Sequence, residues 1–185
     1  MEYRATGLDG VVEIIPNRIS DERGYFAETY SHEKFLKAGI GLEWVQDNQS
    51  LSVRKGVLRG LHFQVAPFAQ DKLIRVLRGA IFDVAVDIRG GSPSFGKWVS
   101  CVLSAEAFNQ LLVPKGFAHG FLTLEANTEV LYKVSAPYAP ACDRAIRHDD
   151  PALAINWPLP AHELTLSLKD RNAPFLSEFT GRIAF

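Results

Sequence analysis

Two histidines and one lysine have side chains that can bind a metal or transfer a proton, and their spacing along the chain predicts a shared site. His62 comes six positions after Gly56, Lys72 follows ten positions later, and His119 ends the segment PKGFAH (114–119). Imidazoles bind divalent metals or transfer protons near neutral pH. A lysine ammonium instead stabilises negative charge that develops on an oxygen. The three residues therefore predict either a metal site or an acid–base site, provided that the fold brings them together.

These spacings resemble the two signatures of the cupin barrel, in which three histidines and a glutamate bind a metal. The corresponding positions hold His62, Gln64, Lys72 and His119, and Lys72 comes seven positions before a glycine. Divalent metals prefer neutral imidazoles and carboxylates, whereas a protonated lysine repels a cation. The resemblance implies a barrel that has replaced its metal by an ammonium, so we expect no metal and no cofactor. Such a site would stabilise an enolate next to a ketone, with His62 as the base.

Each reactive residue also has an ordinary structural interpretation. A histidine in a strand is commonly half-buried and structural, and Lys72 could close a solvated strand end. Tyr132, in an alternating segment, fits a core position with its hydroxyl at the rim. Asp170 precedes Arg171 and fits an exposed turn pair. Local pattern alone leaves both interpretations open.

The elements that must position these residues are mainly strands. Segments rich in valine, leucine, phenylalanine and tyrosine are separated by turn sequences such as RGG, PKG and EANT, which indicates short strands. The predicted strands are 72–77, 80–88, 97–104, 109–114, 119–124 and 128–135. One helix is predicted over 31–40 with Ser31 as its N-cap, and 164–179 could hold a second short helix or a turn. The pattern predicts an all-β fold, a cupin-type jelly-roll barrel or sandwich with a few short helices, as one domain over 1–185.

Segment 80–88, AIFDVAVDI, alternates with a period of two. Phe82 and Val84 point to one face of the predicted strand, while Asp83 and Asp87 point to the other. Asp83 is thereby expected to be structural or close to the histidines. The sequence leaves open whether it supports one of them.

Bulk properties narrow the class of protein. The chain has 185 residues, 47% of them hydrophobic, and a formal net charge of -1, so it should fold around a core without a general affinity for nucleic acid or membranes. Its two cysteines fit a reducing compartment. We find neither a signal peptide at the N-terminus nor an apolar run long enough to span a bilayer. A cytoplasmic protein is the expectation.

Nine motifs in series resemble the dTDP-4-dehydrorhamnose 3,5-epimerase family over nearly the whole chain. They are DERGYFAETY (21–30), VQDNQS (45–50), RGLHFQ (59–64), AQDKLIRVLRGAIFDVAVDIR (69–89), SPSFGKW (92–98), PKGFAHGFLTL (114–124), YKVSAPYAP (132–140), DDPALAINWP (149–158) and LKDRNAP (168–174). So many motifs in the same order are far more specific than any single one.

The resemblance implies a reaction and four catalytic residues. The substrate would be dTDP-4-keto-6-deoxy-D-glucose, whose ketone acidifies the protons on C3 and C5, and inversion of both carbons would give dTDP-4-keto-L-rhamnose. His62 would remove those protons, with Asp170 behind the imidazole. Lys72 would hold the enolate oxygen, and Tyr132 would return a proton from the opposite face.

Further positions match family residues that contact the nucleotide or the sugar, and the family resemblance implies the same for them here. They are Arg23, Phe26, Glu28, Gln46, Asn48, Arg59, His119, Tyr138, Asp143 and Lys169. Asp143 stands where a glutamate is expected, one methylene longer, so a nucleotide contact could differ. The resemblance also implies a homodimer, in which Arg23, Phe26 and Glu28 could serve the partner's pocket.

Three other functions remain as alternatives. A single-site epimerase of C3 or C5 in a deoxysugar pathway would use much the same residues. A metal-dependent cupin oxygenase would need carboxylate or imidazole ligands where Gln64 and Lys72 stand. A binding module without activity would not need a base and an acid on opposite faces of a sugar.

Overall fold

The computed structural model describes residues 1–179 and 183–185, and within them thirteen strands form two facing sheets and a hairpin. The strands are β1 (Glu2–Ala5), β2 (Val12–Ile15), β3 (Arg18–Asp21), β4 (Gly24–Ala27), β5 (Gln46–Ser52), β6 (Leu58–Gln64), β7 (Lys72–Arg78), β8 (Ala80–Asp87), β9 (Trp98–Ser104), β10 (Gln110–Val113), β11 (Phe117–Thr123), β12 (Thr128–Val134) and β13 (Asp143–Ala145). The helices are α1 (His32–Lys37), α2 (Leu168–Arg171) and two 3-10 turns, Ala161–Glu163 and Leu176–Glu178. The predicted all-β, cupin-like fold is confirmed.

Both sheets are antiparallel. One has six strands in the order β1-β2-β10-β7-β12-β5, and the other has five in the order β13-β6-β11-β8-β9. Strands β3 and β4 pair only with each other. Most neighbours in each sheet are distant in sequence, so residues from widely separated parts of the chain meet in the space between the two sheets.

The main core fills that space. Ile74 and Val130 of the six-stranded sheet pack in one cluster with Ile81, Ala85 and Phe121 of the five-stranded sheet. Each fully buried side chain of this size contributes about 1.5–3 kcal/mol to folding, as an upper estimate. Apolar contacts between the two sheets therefore hold the sandwich together.

Strand β8 is buried on both faces, which its alternating sequence alone does not reveal. Ile81 and Ala85 face the other sheet, whereas Val84 and Val86 pack under the C-terminal part of the chain, against Leu153. The predicted alternation is thus correct, and it directs Asp83 toward the space between the sheets. The Asp83 side chain has no solvent exposure.

The predicted helix over 31–40 is found as α1, which is shorter, and Ser31 caps it by accepting a hydrogen bond from the Lys34 backbone N–H. The predicted helix or turn within 164–179 is found as α2 followed by a 3-10 turn. Strands β1 to β6 and β13 are not among the predicted segments. Strands β1 to β4 and β13 have only three or four residues, too few to show a period of two, and β5 is polar at nearly every position. Within the described part of the chain, no helix is long and apolar enough to cross a membrane.

Candidate active site

A cavity of about 550 Å³ opens between the two sheets. Its walls carry all four residues of the predicted catalytic set, His62, Lys72, Tyr132 and Asp170. Arg59, His119 and Lys169 add positive or polar groups, and an apolar part is formed by Val57, Leu58, Ile74, Phe121 and Val130. The cavity therefore has a polar part with several proton-transfer groups and a separate apolar part.

A carboxylate lies directly behind His62. The Nε2 atom of His62 is 2.5 Å from Oδ1 of Asp170, although 108 positions separate the two residues in the chain. With Nε2–H donating to this carboxylate, Nδ1 keeps a free lone pair and can accept a proton. An imidazole held in this way by a carboxylate has the geometry to act as a general base.

Asp170 is held in place by its own helix. The Ser167 hydroxyl caps α2 by accepting from the Asp170 N–H at 3.1 Å, and it donates to Oδ2 at 2.9 Å. Burial alone would raise the pKa of the Asp170 carboxyl, but hydrogen bonds from His62 and Ser167 and the charge of Lys169 hold that pKa below its usual value. Asp170 therefore stays a carboxylate and can accept the hydrogen bond from the His62 ring.

His119 has its own carboxylate, Asp83. Its Nε2 atom lies 2.9 and 3.0 Å from the two Asp83 oxygens, and both side chains are buried. Burial raises the pKa of the Asp83 carboxyl, although His119 opposes this change. The question that the sequence left open is answered: Asp83 positions a histidine of the cavity, and that histidine is His119.

Lys72 is a buried cation at the cavity wall. Its Nζ donates to the His62 backbone carbonyl at 3.3 Å, and this is its one hydrogen bond among residues 1–179 and 183–185. Burial lowers the pKa of its ammonium to about 8, while Asp143 and Asp83 oppose the change. The ammonium is thus mostly charged at neutral pH, and its other N–H groups can donate to a substrate oxygen.

Tyr132 projects from the wall opposite His62. It lies on β12 of the six-stranded sheet, and His62 lies on β6 of the five-stranded sheet. Burial raises the pKa of the phenol, and the charge of Arg59 opposes this. Tyr132 is therefore protonated at neutral pH and can act as a proton donor.

A bulge in β6 brings Arg59 to the same cavity as His62. In a regular strand, residues three apart point to opposite faces. Here the register shifts, since His119 pairs with His62 but Phe121 pairs with Arg59, which adds one residue to β6. Gly60 occupies the bulge with a φ of 123°, where an added Cβ would lie 2.5 Å from Gly120 Cα.

A smaller cavity of about 350 Å³ shares four wall residues with the larger one, namely His62, Lys72, Tyr132 and Lys169. It brings together Gln46, Asn48, Tyr138 and Asp143 from the predicted binding set. Asp143 accepts hydrogen bonds from the Tyr138 hydroxyl and the Lys169 ammonium, and Gln46 donates to Asn48. These groups form a polar extension that leads out of the larger cavity.

Gln64 stands in a ligand position of the cupin signature, and its amide is already engaged. Its nitrogen donates to the Phe68 and Pro137 carbonyls, and its oxygen accepts from the Ala139 N–H. In the part of the chain that the structure describes, no three His, Cys, Asp or Glu side chains are grouped so as to hold a metal ion.

Three of the predicted binding residues lie elsewhere in this chain. Arg23 is in the β3–β4 hairpin with its side chain 84% exposed and paired with Asp21, and Phe26 is 72% exposed. Glu28 pairs with Lys34 of α1. The structure does not bring these three residues to either cavity of their own chain, so their role stays a prediction.

Two residues that line the larger cavity, Ser167 and Ser50, were not predicted from the sequence. Ser167 could have been found, since Ser-x-x-Asp at the start of a helix is a capping pattern. Ser50 could not, because every position of QDNQS is polar and no face stands out. It lines the larger cavity from β5.

Comparison with known proteins gives a consistent picture. A family model described as dTDP-4-dehydrorhamnose 3,5-epimerase matches residues 5–178. The chain is 52% identical to the dTDP-4-dehydrorhamnose 3,5-epimerase of Sinorhizobium fredii, over 96% of this chain and 91% of that protein.

Two solved structures are informative. A Legionella pneumophila dTDP-6-deoxy-D-glucose-3,5-epimerase in complex with dTDP-4-keto-L-rhamnose is 43% identical, with a TM-score of 0.94 over 100% of this chain and 98% of that one. A 3'-monoepimerase from Streptomyces bikiniensis in complex with dTDP-quinovose is 36% identical, with a TM-score of 0.86 over 93% and 86% of the two chains.

Proposed function

Since the chain belongs to the dTDP-4-dehydrorhamnose 3,5-epimerase family, we propose that it inverts C3 and C5 of dTDP-4-keto-6-deoxy-D-glucose with His62 and Tyr132 as its proton-transfer groups. It is an isomerase of the carbohydrate epimerase class. The product is dTDP-4-keto-L-rhamnose, an intermediate on the route to dTDP-L-rhamnose.

One observation carries this mechanism: His62 and Tyr132 lie on opposite walls of one cavity. Inversion of a carbon requires that a proton leave from one face and that another arrive on the other face. A base and an acid on facing sheets meet this need without any rotation of the intermediate. A pure binding site would have no use for the arrangement, which argues against the non-catalytic alternative.

The proton transfers follow from the ketone. When His62 takes the proton from C3 or C5, the electron pair left on carbon delocalises onto the C4 oxygen as an enolate. Lys72 donates a hydrogen bond to that oxygen, and Asp170 stabilises the imidazolium. Tyr132 then donates its proton to the opposite face of the carbon. Solvent returns a proton to the tyrosinate and removes one from the imidazolium, so the enzyme is restored.

The rest of the dTDP-sugar would extend into the smaller cavity. Lys169, which lines both cavities, supplies positive charge for the diphosphate, and Arg59 and His119 contact the sugar beside Lys72. Gln46, Asn48, Tyr138 and Asp143 face the nucleotide. The apolar wall formed by Ile74, Phe121 and Val130 suits the C6 methyl group of a deoxysugar.

Solvent-deuterium incorporation tests the function. With dTDP-4-keto-6-deoxy-D-glucose in heavy water, we expect deuterium at both C3 and C5, measured by mass spectrometry and proton NMR. A reductase should then trap a product with the L-rhamno configuration. Deuterium at one carbon only would show a single-site epimerase, like the Streptomyces bikiniensis relative. No exchange at either carbon would refute the proposal and turn attention to the oxygenase and binding alternatives.

The same proposal includes a homodimer in which the β3–β4 hairpin completes the partner's site. The hairpin exposes Ile19 and Phe26, which are 70% and 72% accessible, and it carries Arg23 away from its own cavity. Arginine on such an arm can reach a nucleotide bound by the other subunit. A cytoplasmic location, which the low cysteine count favours, also stays a prediction.

Co-expression of two defective chains tests the exchange of hairpins. One chain carries Arg23→Ala, Phe26→Ala and Glu28→Ala, and the other carries His62→Asn. In a mixed dimer one site has both defects and the other has none, so we expect about a quarter of wild-type activity from random pairing. His62→Asn paired with Tyr132→Phe is the control and should show no recovery, because each site keeps one defect. No recovery with the hairpin variant, or a monomer by light scattering, would refute this part of the proposal.

A further inference from the structure

Strand β5 presents a polar row to the space between the sheets, formed by Gln46, Asn48, Ser50 and Ser52, which we call the β5 row. These four residues are less exposed than Asp47, Gln49 and Leu51 between them. Gln46 and Asn48 line the smaller cavity, and Ser50 lines the larger one. The row therefore runs along the path that joins the two cavities.

Most of the β5 row is satisfied within the protein. Gln46 donates to Asn48 and accepts from the Tyr138 N–H, while Ser52 accepts from Nε of Arg59 at 3.3 Å. Ser50 differs, because its hydroxyl oxygen is buried and has no hydrogen-bond partner among residues 1–179 and 183–185. Its partner across the sheet is Val130, an apolar residue.

A buried hydroxyl without a partner is unfavourable, since it has lost its hydrogen bonds to water. Native proteins contain few such groups, and each calls for an explanation. Alanine at position 50 would avoid the cost without a steric problem. Because Ser50 lines the larger cavity, a bound ligand can supply the missing hydrogen-bond partner.

We propose that Ser50 hydrogen-bonds the 2-hydroxyl of the sugar and thereby positions the ring for proton transfer. This inference rests on the proposed function. Gln46 and Asn48 precede Ser50 along β5 and line the smaller cavity, where the nucleotide is proposed to bind. The diphosphate is attached to C1 of the sugar. The hydroxyl on C2, next to C1, is therefore the sugar hydroxyl nearest to Ser50. C2 does not react, so a contact there persists while C3 and C5 invert. A contact to the 3-hydroxyl would break on inversion.

The test compares wild type and Ser50→Ala on two substrates, one with the 2-hydroxyl of the sugar and one without it. Ser50→Ala should lower kcat/KM for dTDP-4-keto-6-deoxy-D-glucose about tenfold, the loss of one hydrogen bond. With the same nucleotide sugar lacking the 2-hydroxyl, wild type and Ser50→Ala should differ less than about twofold, because the contact is already absent. The Tm of Ser50→Ala should equal or exceed that of wild type, since an unpaired hydroxyl is removed. Ser100→Ala, an exposed serine on β9, is the matched control.

Two results would overturn the inference. One is an equal loss with both substrates, which would show a general effect on the site. The other is unchanged kcat/KM for the natural substrate. In either case the wild-type enzyme would still exchange deuterium into the sugar. Failure of wild type to exchange would instead refute the proposed function, so the two failures are distinguishable.

Discussion

Replacing His62 by asparagine should lower epimerisation by at least about a thousandfold, while dTDP still binds. His62 is the one imidazole of the larger cavity with a carboxylate from α2 behind it, and the other imidazole there, His119, is hydrogen-bonded through Nε2 to Asp83. His62 is the more accessible of the two imidazoles, since its side chain is 32% exposed and that of His119 is 9% exposed. The measurement is product formation under saturating substrate, together with deuterium exchange at C3 and C5, both of which should fall.

Asparagine is preferred to alanine because Asp170 is buried and its pKa is held down partly by His62. An amide can still donate to that carboxylate, so folding should be preserved. His162→Ala is the matched control, since this histidine is 81% exposed on a 3-10 turn. If His62→Asn turns over like wild type with an unchanged Tm, another residue is the base and the mechanism is wrong.

Replacing Tyr132 by phenylalanine should separate exchange from inversion. The variant keeps the ring that packs against the core and loses only the hydroxyl. His62 can still remove a proton and return one to the same face, so deuterium should enter at C3 and C5. Without a donor on the opposite wall, formation of the inverted product should fall by about 10²- to 10⁴-fold.

The readout is the ratio of deuterium incorporated to product formed, which should rise steeply in Tyr132→Phe and stay near the wild-type value in Tyr3→Phe. Tyr3 is a suitable control because it lies on β1, at the far edge of the six-stranded sheet from β12. Wild-type product formation by Tyr132→Phe would assign the second proton to another group. Loss of both exchange and product would show that Tyr132 mainly supports binding.

The Tyr132→Phe variant also tests whether Lys72 stabilises the enolate oxygen. Exchange in Tyr132→Phe requires that the enolate still form, and its oxygen would still be held by the ammonium. A pKa of about 8 keeps that ammonium mostly protonated at neutral pH, and burial makes its charge more effective than it would be in water. Exchange without inversion would therefore show that the base and the oxyanion partner work without the acid.

Several features could be predicted because strand periodicity encodes them directly. The alternation in 80–88 placed Asp83 on the face opposite Phe82, and that is the face toward the other sheet. The spacing of His62, Lys72 and His119 indicated a shared site, and the three side chains do line one cavity. Strands β1 to β4 were not predicted, because four residues are too few to show a period, and β5 was not predicted because its residues are nearly all polar.

Arg59 illustrates a local rule that the structure overrides. A period of two would put Arg59 and His62 on opposite faces of β6, yet both line the cavity. The extra residue at the bulge changes the register, and Gly60 allows the backbone conformation that this requires. The glycine is visible in the sequence, but its consequence depends on the close approach of β11.

The amino-acid sequence by itself determined which chemical groups are available and which face of its strand most of them occupy. Only the tertiary structure decided their partners. Asp170 followed by Arg171 resembles an exposed pair, yet it is buried against His62, 108 positions away. Asp83 joins His119, and His62 faces Tyr132 across the cavity. These contacts depend on the packing of two sheets and a short helix, which no local periodicity encodes.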